Sequence, residues 1–280
     1  MVQVHLPRAA FGHALRFARR RSTAYPALAM ILSVLGIPET PLNLFLMLMI
    51  GGTIMYFATS GLSYMIFFVW GRERFHPGYK PKPEEIRSQM KWAIYGTFGN
   101  AVLTAPLHWL IANGYSQAYW DPMEYGLPYL LFSIVLYLAF TETWIYWAHR
   151  ALHLPVFFRL FHKPHHKWRA TTSWASMAFH PMDSFVQALP HHLAVFLFPV
   201  NIYVYFAMLG FVMMWTVMIH DRVSLVKLPY VNYTGHHTLH HWYFTCNYGQ
   251  FFTFWDRAMG TWRDPEAAQR DGSVPEGVLR

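Results

Sequence analysis

The chain has 280 residues, a formal net charge of +8, 54% hydrophobic and 19% aromatic residues, and 13% charged ones. So small a charged share beside so much apolar side chain is unusual for a soluble protein and points to a membrane. The single cysteine, Cys246, excludes an intrachain disulfide and a thiolate metal cluster, and basic residues that bracket apolar runs point to anionic headgroups and away from nucleic acid.

Residues 1–21, with Arg16 and Arg19 to Arg21, and the apolar stretch 26–37 predict a basic interfacial helix with no obvious cleavage site. Residues 42–70 carry no charged side chain and predict a transmembrane helix. Further spans are predicted over 92–114 and 127–147, although His108 and Glu142 within them would be costly against lipid. The next apolar run, 193–219, has 27 residues, enough for one span and short of the roughly 40 that two require. Histidine clusters on either side of it must meet, so an even number of crossings separates them. That predicts a re-entrant hairpin, or two short half-helices broken near Pro199-Val200-Asn201, with His191 and His192 at the membrane surface where the hairpin opens.

The expected fold is an all-α integral membrane helical bundle, with three full spans plus a re-entrant hairpin or fourth span pair. Its units are 1–140 for the interfacial segment and first spans, 141–265 for the catalytic region, and 266–280 for a polar tail. Residues 71–91 carry Arg72, Arg74, Lys80, Lys82, Arg87 and Lys91, whereas 111–128 has no basic residue. The first loop is therefore expected in the cytosol and the second on the far side, which returns the histidine region to the cytosol. Such a basic face would attract an acidic protein partner.

Thirteen of seventeen histidines lie between His149 and His241. They fall mainly into His149 and His153, then His162, His165 and His166, then His236, His237, His240 and His241. Imidazole is the commonest side-chain ligand for zinc, iron and copper, and spacings of three and four place ring pairs on one helical face. Eight or more nitrogen ligands exceed what one ion coordinates, so two metals are expected. Arg150, Ala151 and Leu152 between His149 and His153 exclude the His-Glu-x-x-His of zinc proteases, and the Glu and Glu-x-x-His ligands of soluble di-iron bundles are missing too. Neutral nitrogen ligands would leave two ferrous ions with much uncompensated charge, an arrangement suited to reducing dioxygen and attacking an unactivated C–H bond, with a zinc or purely structural site as the competing reading.

Among the acids, Glu142 lies two helical turns before His149 and shares its face. Asp183 and Asp221 follow His180 and His220. All three carboxylates are candidates to orient ligand imidazoles, against capping or structural roles. His180 and His236 could be ligands or hydrogen-bond donors to ligands. Asp256 is expected to be structural.

The motifs Trp147-Ala-His-Arg-Ala-Leu-His153, Arg159-Leu-Phe-His-Lys-Pro-His-His-Lys-Trp168, Ala178-Phe-His-Pro-Met-Asp183, Trp215-Thr-Val-Met-Ile-His-Asp221 and the segment from His236 to Asp256 resemble the sterol C5-desaturases of the fatty acid hydroxylase superfamily. The likeness covers roughly 142–265. It implies two non-haem iron ions, dioxygen as co-substrate, introduction of the C5–C6 double bond into a Δ7-sterol, and a cytochrome b5-type electron donor with its reductase. It also implies His149, His153, His162, His165, His166, His237, His240 and His241 as metal ligands, with His220 matching an additional ligand between the second and third boxes. The membrane would be the endoplasmic reticulum in a eukaryote or the inner membrane in a bacterium. A hydroxylase or oxidase of the same superfamily acting on a fatty acid, methylsterol or carotenoid is the alternative, and a non-catalytic membrane metal- or lipid-binding protein is a third reading.

Overall fold

The computed structural model describes residues 36–225 and 227–274. The expected interfacial helix over 1–21 and most of 26–37, and positions 275–280 of the tail, lie outside the described residues. Helix α1 (Pro41–Tyr64) starts where Thr40 Oγ1 accepts the Asn43 N–H at 3.2 Å, and it runs on through a π-helical turn, Met65–Trp70. Its Leu46, Ile50, Ile54 and Leu62 are exposed, while Tyr56, Ser60 and Ser63 are buried. Apolar outside and small or polar inside is the pattern of a helix packed in lipid.

Helix α2 (Pro83–Ala112) repeats that pattern, with Ile94, Phe98 and Val102 exposed and Ala93, Thr104 and His108 buried. Glu84 and Glu85 in its first turn complement the helix dipole. At Gly96 a Cβ would come 2.7 Å from the Phe179 carbonyl oxygen, and at Gly99 it would clash with Pro181. These glycines let α2 touch the chain at 179–181, just where it enters α4 (Pro181–Leu197). Helix α3 (Gly126–Leu152) packs on α4 from another side.

The extended stretch 198–201 ends α4, and α5 (Ile202–His220) returns towards the start of α4. Irregular backbone at that depth must be satisfied by protein. The two-residue strand β1 (Ala118–Tyr119) pairs in parallel with β2 (Val200–Asn201). Tyr129 Oη donates to the Pro199 carbonyl at 3.0 Å, and Asn201 caps α5 by accepting the Tyr203 N–H at 3.0 Å while donating to the Trp120 carbonyl at 3.1 Å. Ile111, Val195, Val200 and Ile202 fill the core there.

Among the described residues three helices are long and apolar enough to cross a membrane, Pro41–Trp70, Gly126–Leu152 and Ile202–His220, and the chain is an integral membrane protein. The expected span over 92–114 overlaps α2 up to its end at Ala112, a helix long enough at about 1.5 Å per residue but more polar, its Gln89, Thr97 and His108 being buried against protein. The hairpin is broken where expected but is larger. It begins at Pro181, because Asp183, Ser184, His191 and His192 are buried among helices where hydropathy alone would keep them out of the membrane. His191 and His192 are therefore not at the membrane surface. They meet Tyr137 Oη and Tyr205 Oη through Nδ1 at 2.9 and 2.8 Å, and the His108 ring stands 4.8 Å from that of His192.

Candidate metal centre

The end of α3, the turns that follow it, the end of α5 and a short helix beyond it bring histidines to one pole of the bundle. His149 sits in the last turn of α3, and His153 caps that helix. The chain then turns through a π-helical segment, Phe158–His162, and a 3₁₀ turn, His165–Lys167, which bury His162, His165 and His166. His220 ends α5, and the short helix α6 (Thr234–Tyr243) turns His237, His240 and His241 inward from successive turns.

These rings form two neighbouring groups. One holds His149, His153, His162, His166 and His240, the other His165, His220, His237 and His241, and within each the nearest ligand atoms all lie within 4.8 Å of one another. Eight of these histidines are buried and His153 is half-buried. Burial, reinforced by neighbouring imidazoles, pushes the pKa values of His153, His165, His166, His237, His240 and His241 below the usual histidine value. The rings are thus neutral at physiological pH, the form that ligates metals.

Hydrogen bonds fix several tautomers. The Nδ1–H of His149 donates to the Tyr248 carbonyl at 2.9 Å, that of His240 to the Cys246 carbonyl at 2.8 Å, that of His220 to the Thr216 carbonyl at 2.6 Å, and that of His162 to an Asp183 carboxylate oxygen at 2.7 Å. With Nδ1 carrying the proton, Nε2 is the nitrogen that offers its lone pair. Nε2 of His166 lies 3.0 Å from that of His162 and 3.1 Å from that of His240, and in the other group Nε2 of His237 lies 3.0 Å from that of His220 and 3.1 Å from that of His241. One ring proton cannot satisfy two such neighbours, whereas a cation among the lone pairs satisfies all. Nε2 of His149 is buried with no partner at all. The donor set therefore fits two metal ions, with acceptors behind the rings as ligating histidines require.

The carboxylates divide the supporting work. Asp183, fully buried in the first turn of α4, orients His162 directly and also accepts from Gln187 Nε2 at 2.7 Å. Glu142 touches no imidazole, contrary to expectation. It accepts the backbone N–H groups of Gln250, Phe251 and Phe252 at 3.1, 2.8 and 3.3 Å. Asp256 accepts those of Tyr248 and Gly249, both at 2.9 Å. The two acids clamp the loop whose Tyr248 carbonyl holds His149, and a Cβ at Gly249 would come 3.0 Å from a carboxylate oxygen of each. Asp221 also departs from expectation. It accepts from Ser63 Oγ at 3.2 Å and the Val223 N–H at 2.9 Å, fastening α1 to the turn after His220, and burial pushes its pKa up to about 7.

His180 and His236 stand outside both groups. His180 is half-exposed at the N-cap of α4, where Nδ1 accepts the Met182 N–H at 3.2 Å. His236 meets the Tyr233 N–H through Nδ1 and the Trp262 indole N–H through Nε2, at 3.3 and 3.2 Å, so neither nitrogen turns to the centre. Sequence reasoning missed the stacking of the Phe179 ring on His165 at 4.2 Å and the role of the loop from Cys246 to Phe252 as a scaffold for the ligands.

A membrane-embedded helical bundle with two adjoining all-histidine groups at one pole defines the class: a histidine-box membrane protein whose clusters are able to hold metal. The chain matches the fatty acid hydroxylase family over residues 134–261. It is 41% identical to a Delta(7)-sterol 5(6)-desaturase of Aspergillus fumigatus over 227 residues, 80% of this chain and 66% of that protein. It is 38% identical to the lathosterol oxidase of Homo sapiens over 238 residues, 83% of this chain and 79% of that one. It is 42% identical to a Delta(7)-sterol 5(6)-desaturase of Schizosaccharomyces pombe over 240 residues, 85% of this chain and 72% of that one. No solved structure matches. The chain belongs to the fatty acid hydroxylase family, in the group that contains the sterol C5-desaturases.

Proposed function

We propose that the protein is an oxidoreductase that introduces the C5–C6 double bond into a Δ7-sterol, using dioxygen and two electrons. The observation that carries this reading is the pair of histidine groups with converging Nε2 lone pairs, set in a chain about 40% identical to Delta(7)-sterol 5(6)-desaturases over most of its length. The groups would hold two non-haem iron ions, one on His149, His153, His162, His166 and His240, the other on His165, His220, His237 and His241. When bound, the irons supply dioxygen reduction and hydrogen abstraction.

The chain's own residues do the rest. Asp183 keeps the proton on Nδ1 of His162, and the carbonyls of Thr216, Cys246 and Tyr248 do the same for His220, His240 and His149, so the rings cannot rotate away. Glu142 and Asp256 hold the loop that carries two of those carbonyls. Burial excludes bulk water from the ligands, and the exposed apolar flanks of α1, α2 and α3 give an apolar substrate access from the bilayer. Residues 141–265 form the catalytic region, with the centre on the cytosolic side of the endoplasmic reticulum or bacterial inner membrane. Electrons come from a cytochrome b5-type donor.

The test is gas chromatography with mass spectrometry of sterols from a host that accumulates Δ7-sterols because it lacks its own C5-desaturase. Cells expressing the chain should make the 5,7-diene, and cells expressing a His162→Ala, His165→Ala variant should not. Absence of diene, with protein in the membrane and an active donor present, would overturn the sterol assignment.

A further inference from the structure

The desaturation consumes electrons that a sterol and dioxygen do not balance. Two C–H bonds and the O–O bond break, one C=C π bond and four O–H bonds form, and the two waters produced require two protons and two electrons from outside. A donor protein must bring those electrons to the surface. Given the desaturase reading, we infer that an acidic one-electron donor docks on the face formed by Lys163, Lys167, Arg169 and Lys91, directly over the second histidine box.

Charge is distributed so as to favour that face. No Asp or Glu occurs from Thr143 to Met182. Lys91, Lys163, Lys167 and Arg169 are all exposed, and none forms an ion pair among the described residues. Lys167 Nζ donates to Ser88 Oγ at 3.2 Å, joining the box to the first turns of α2 and so to Lys91, one helical turn beyond Ser88. Arg169 lies over the rings of Trp242 and Phe244, at 5.6 and 5.9 Å, and Phe244 in turn packs on His166. Elsewhere at the same pole, around Lys227 and Arg257, Asp264 and Glu266 offset the positive charge, and Glu266 pairs with Lys227 at 3.5 Å.

The same face also lies next in sequence to the second box, three of the histidines that would hold the metals. His162, His165 and His166 are 0%, 1% and 5% exposed, yet their neighbours Lys163 and Lys167 stand in solvent. Electrons landing there arrive beside residues adjoining His162 and His166 in the chain. From Lys163 to Arg169 no large apolar side chain is exposed, whereas Leu154, Val156, Phe157 and Leu160 just before it are. The apolar rim belongs to the membrane interface, and the cationic face beyond it suits an electrostatically steered, transient protein partner.

The test uses the iron-loaded full chain in nanodiscs of zwitterionic lipid, with the reduced haem domain of a cytochrome b5 as the probe. Stopped-flow reoxidation of the haem, in the presence of dioxygen and Δ7-sterol, should slow at least tenfold in Lys91→Glu, Lys167→Glu, Arg169→Glu and lose its salt dependence. It should stay unchanged in Lys227→Glu. Diene yield from dithionite-reduced enzyme in a single turnover should be the same in all three proteins. Unchanged haem kinetics in the triple variant, with or without lost binding to anionic vesicles, would overturn the docking site, as would a parallel loss of dithionite-driven yield. Failure of the dithionite-reduced unsubstituted enzyme to make diene would overturn the desaturase reading instead, while the haem kinetics still report docking.

Discussion

Two sets of buried histidines occupy different parts of the same bundle, one on α3, α5, α6 and the turns after α3, the other on α2 and α4, and they differ in what lies behind each ring. At the metal pole, Nδ1 of His149, His162, His220 and His240 faces a carbonyl or carboxylate, which can only accept, so the lone pair at Nε2 is forced and points at its neighbours. In the second set, His191 and His192 face tyrosine hydroxyls, which can donate or accept, and both nitrogens of His108 lack partners. Among the described residues only the first set brings three or more ligand atoms within metal-holding distance. A histidine becomes a metal ligand through its acceptor and its convergence, and burial alone does not make it one.

The largest expected effect is removal of ligands. His162→Ala with His165→Ala takes one ring from each group, and the purified protein should lose its iron, by elemental mass spectrometry, and all diene formation. Next comes Asp183→Asn, which keeps the volume but weakens the acceptor behind His162. Activity or iron affinity should fall by about 10- to 100-fold, measured by diene yield at graded iron.

Acidity should separate the two states of the centre. The depressed pKa values of His165, His166, His237, His240 and His241 mean that the unfolded chain binds more protons than the folded one below the usual histidine pKa of about 6.5. Stability of the iron-free protein is therefore fully present above that pH and is lost as pH falls through it. Bound iron should oppose the loss, which thermal unfolding of iron-free and iron-loaded protein between pH 7.5 and pH 5 would check.

Glu142→Gln should cost about 1–3 kcal/mol through the unsatisfied N–H groups of Gln250 to Phe252, lowering the unfolding temperature while iron still binds. The smallest effect belongs to the second set. His191→Phe removes one hydrogen bond inside the membrane, worth roughly 0.6 kcal/mol, and should leave iron content unchanged. Iron loss in that variant would erase the distinction between the two sets.

The ligand positions were legible because spacings of three, four and seven residues survive in any helical reading, and His149, His153, His237, His240 and His241 all sit on or cap helices. The break at Pro199 was equally legible. The acceptors at Cys246, Tyr248 and Thr216 were not, since every residue has a carbonyl and only the fold aims it. The start of α4 was hidden for a related reason: His191 and His192 read as surface residues until helices are found to cover them. Glu142 was correctly placed on the His149 face, yet its partners come from more than a hundred residues away, beyond the reach of local spacing.

The central claim is that the nine histidines hold two ions in separate groups, and counting metal per chain tests it most directly. Purified protein should carry two irons, falling to one in His220→Ala, His237→Ala, which strips only the second group. One iron in the unsubstituted protein, or a count that does not change in the variant, would contradict it.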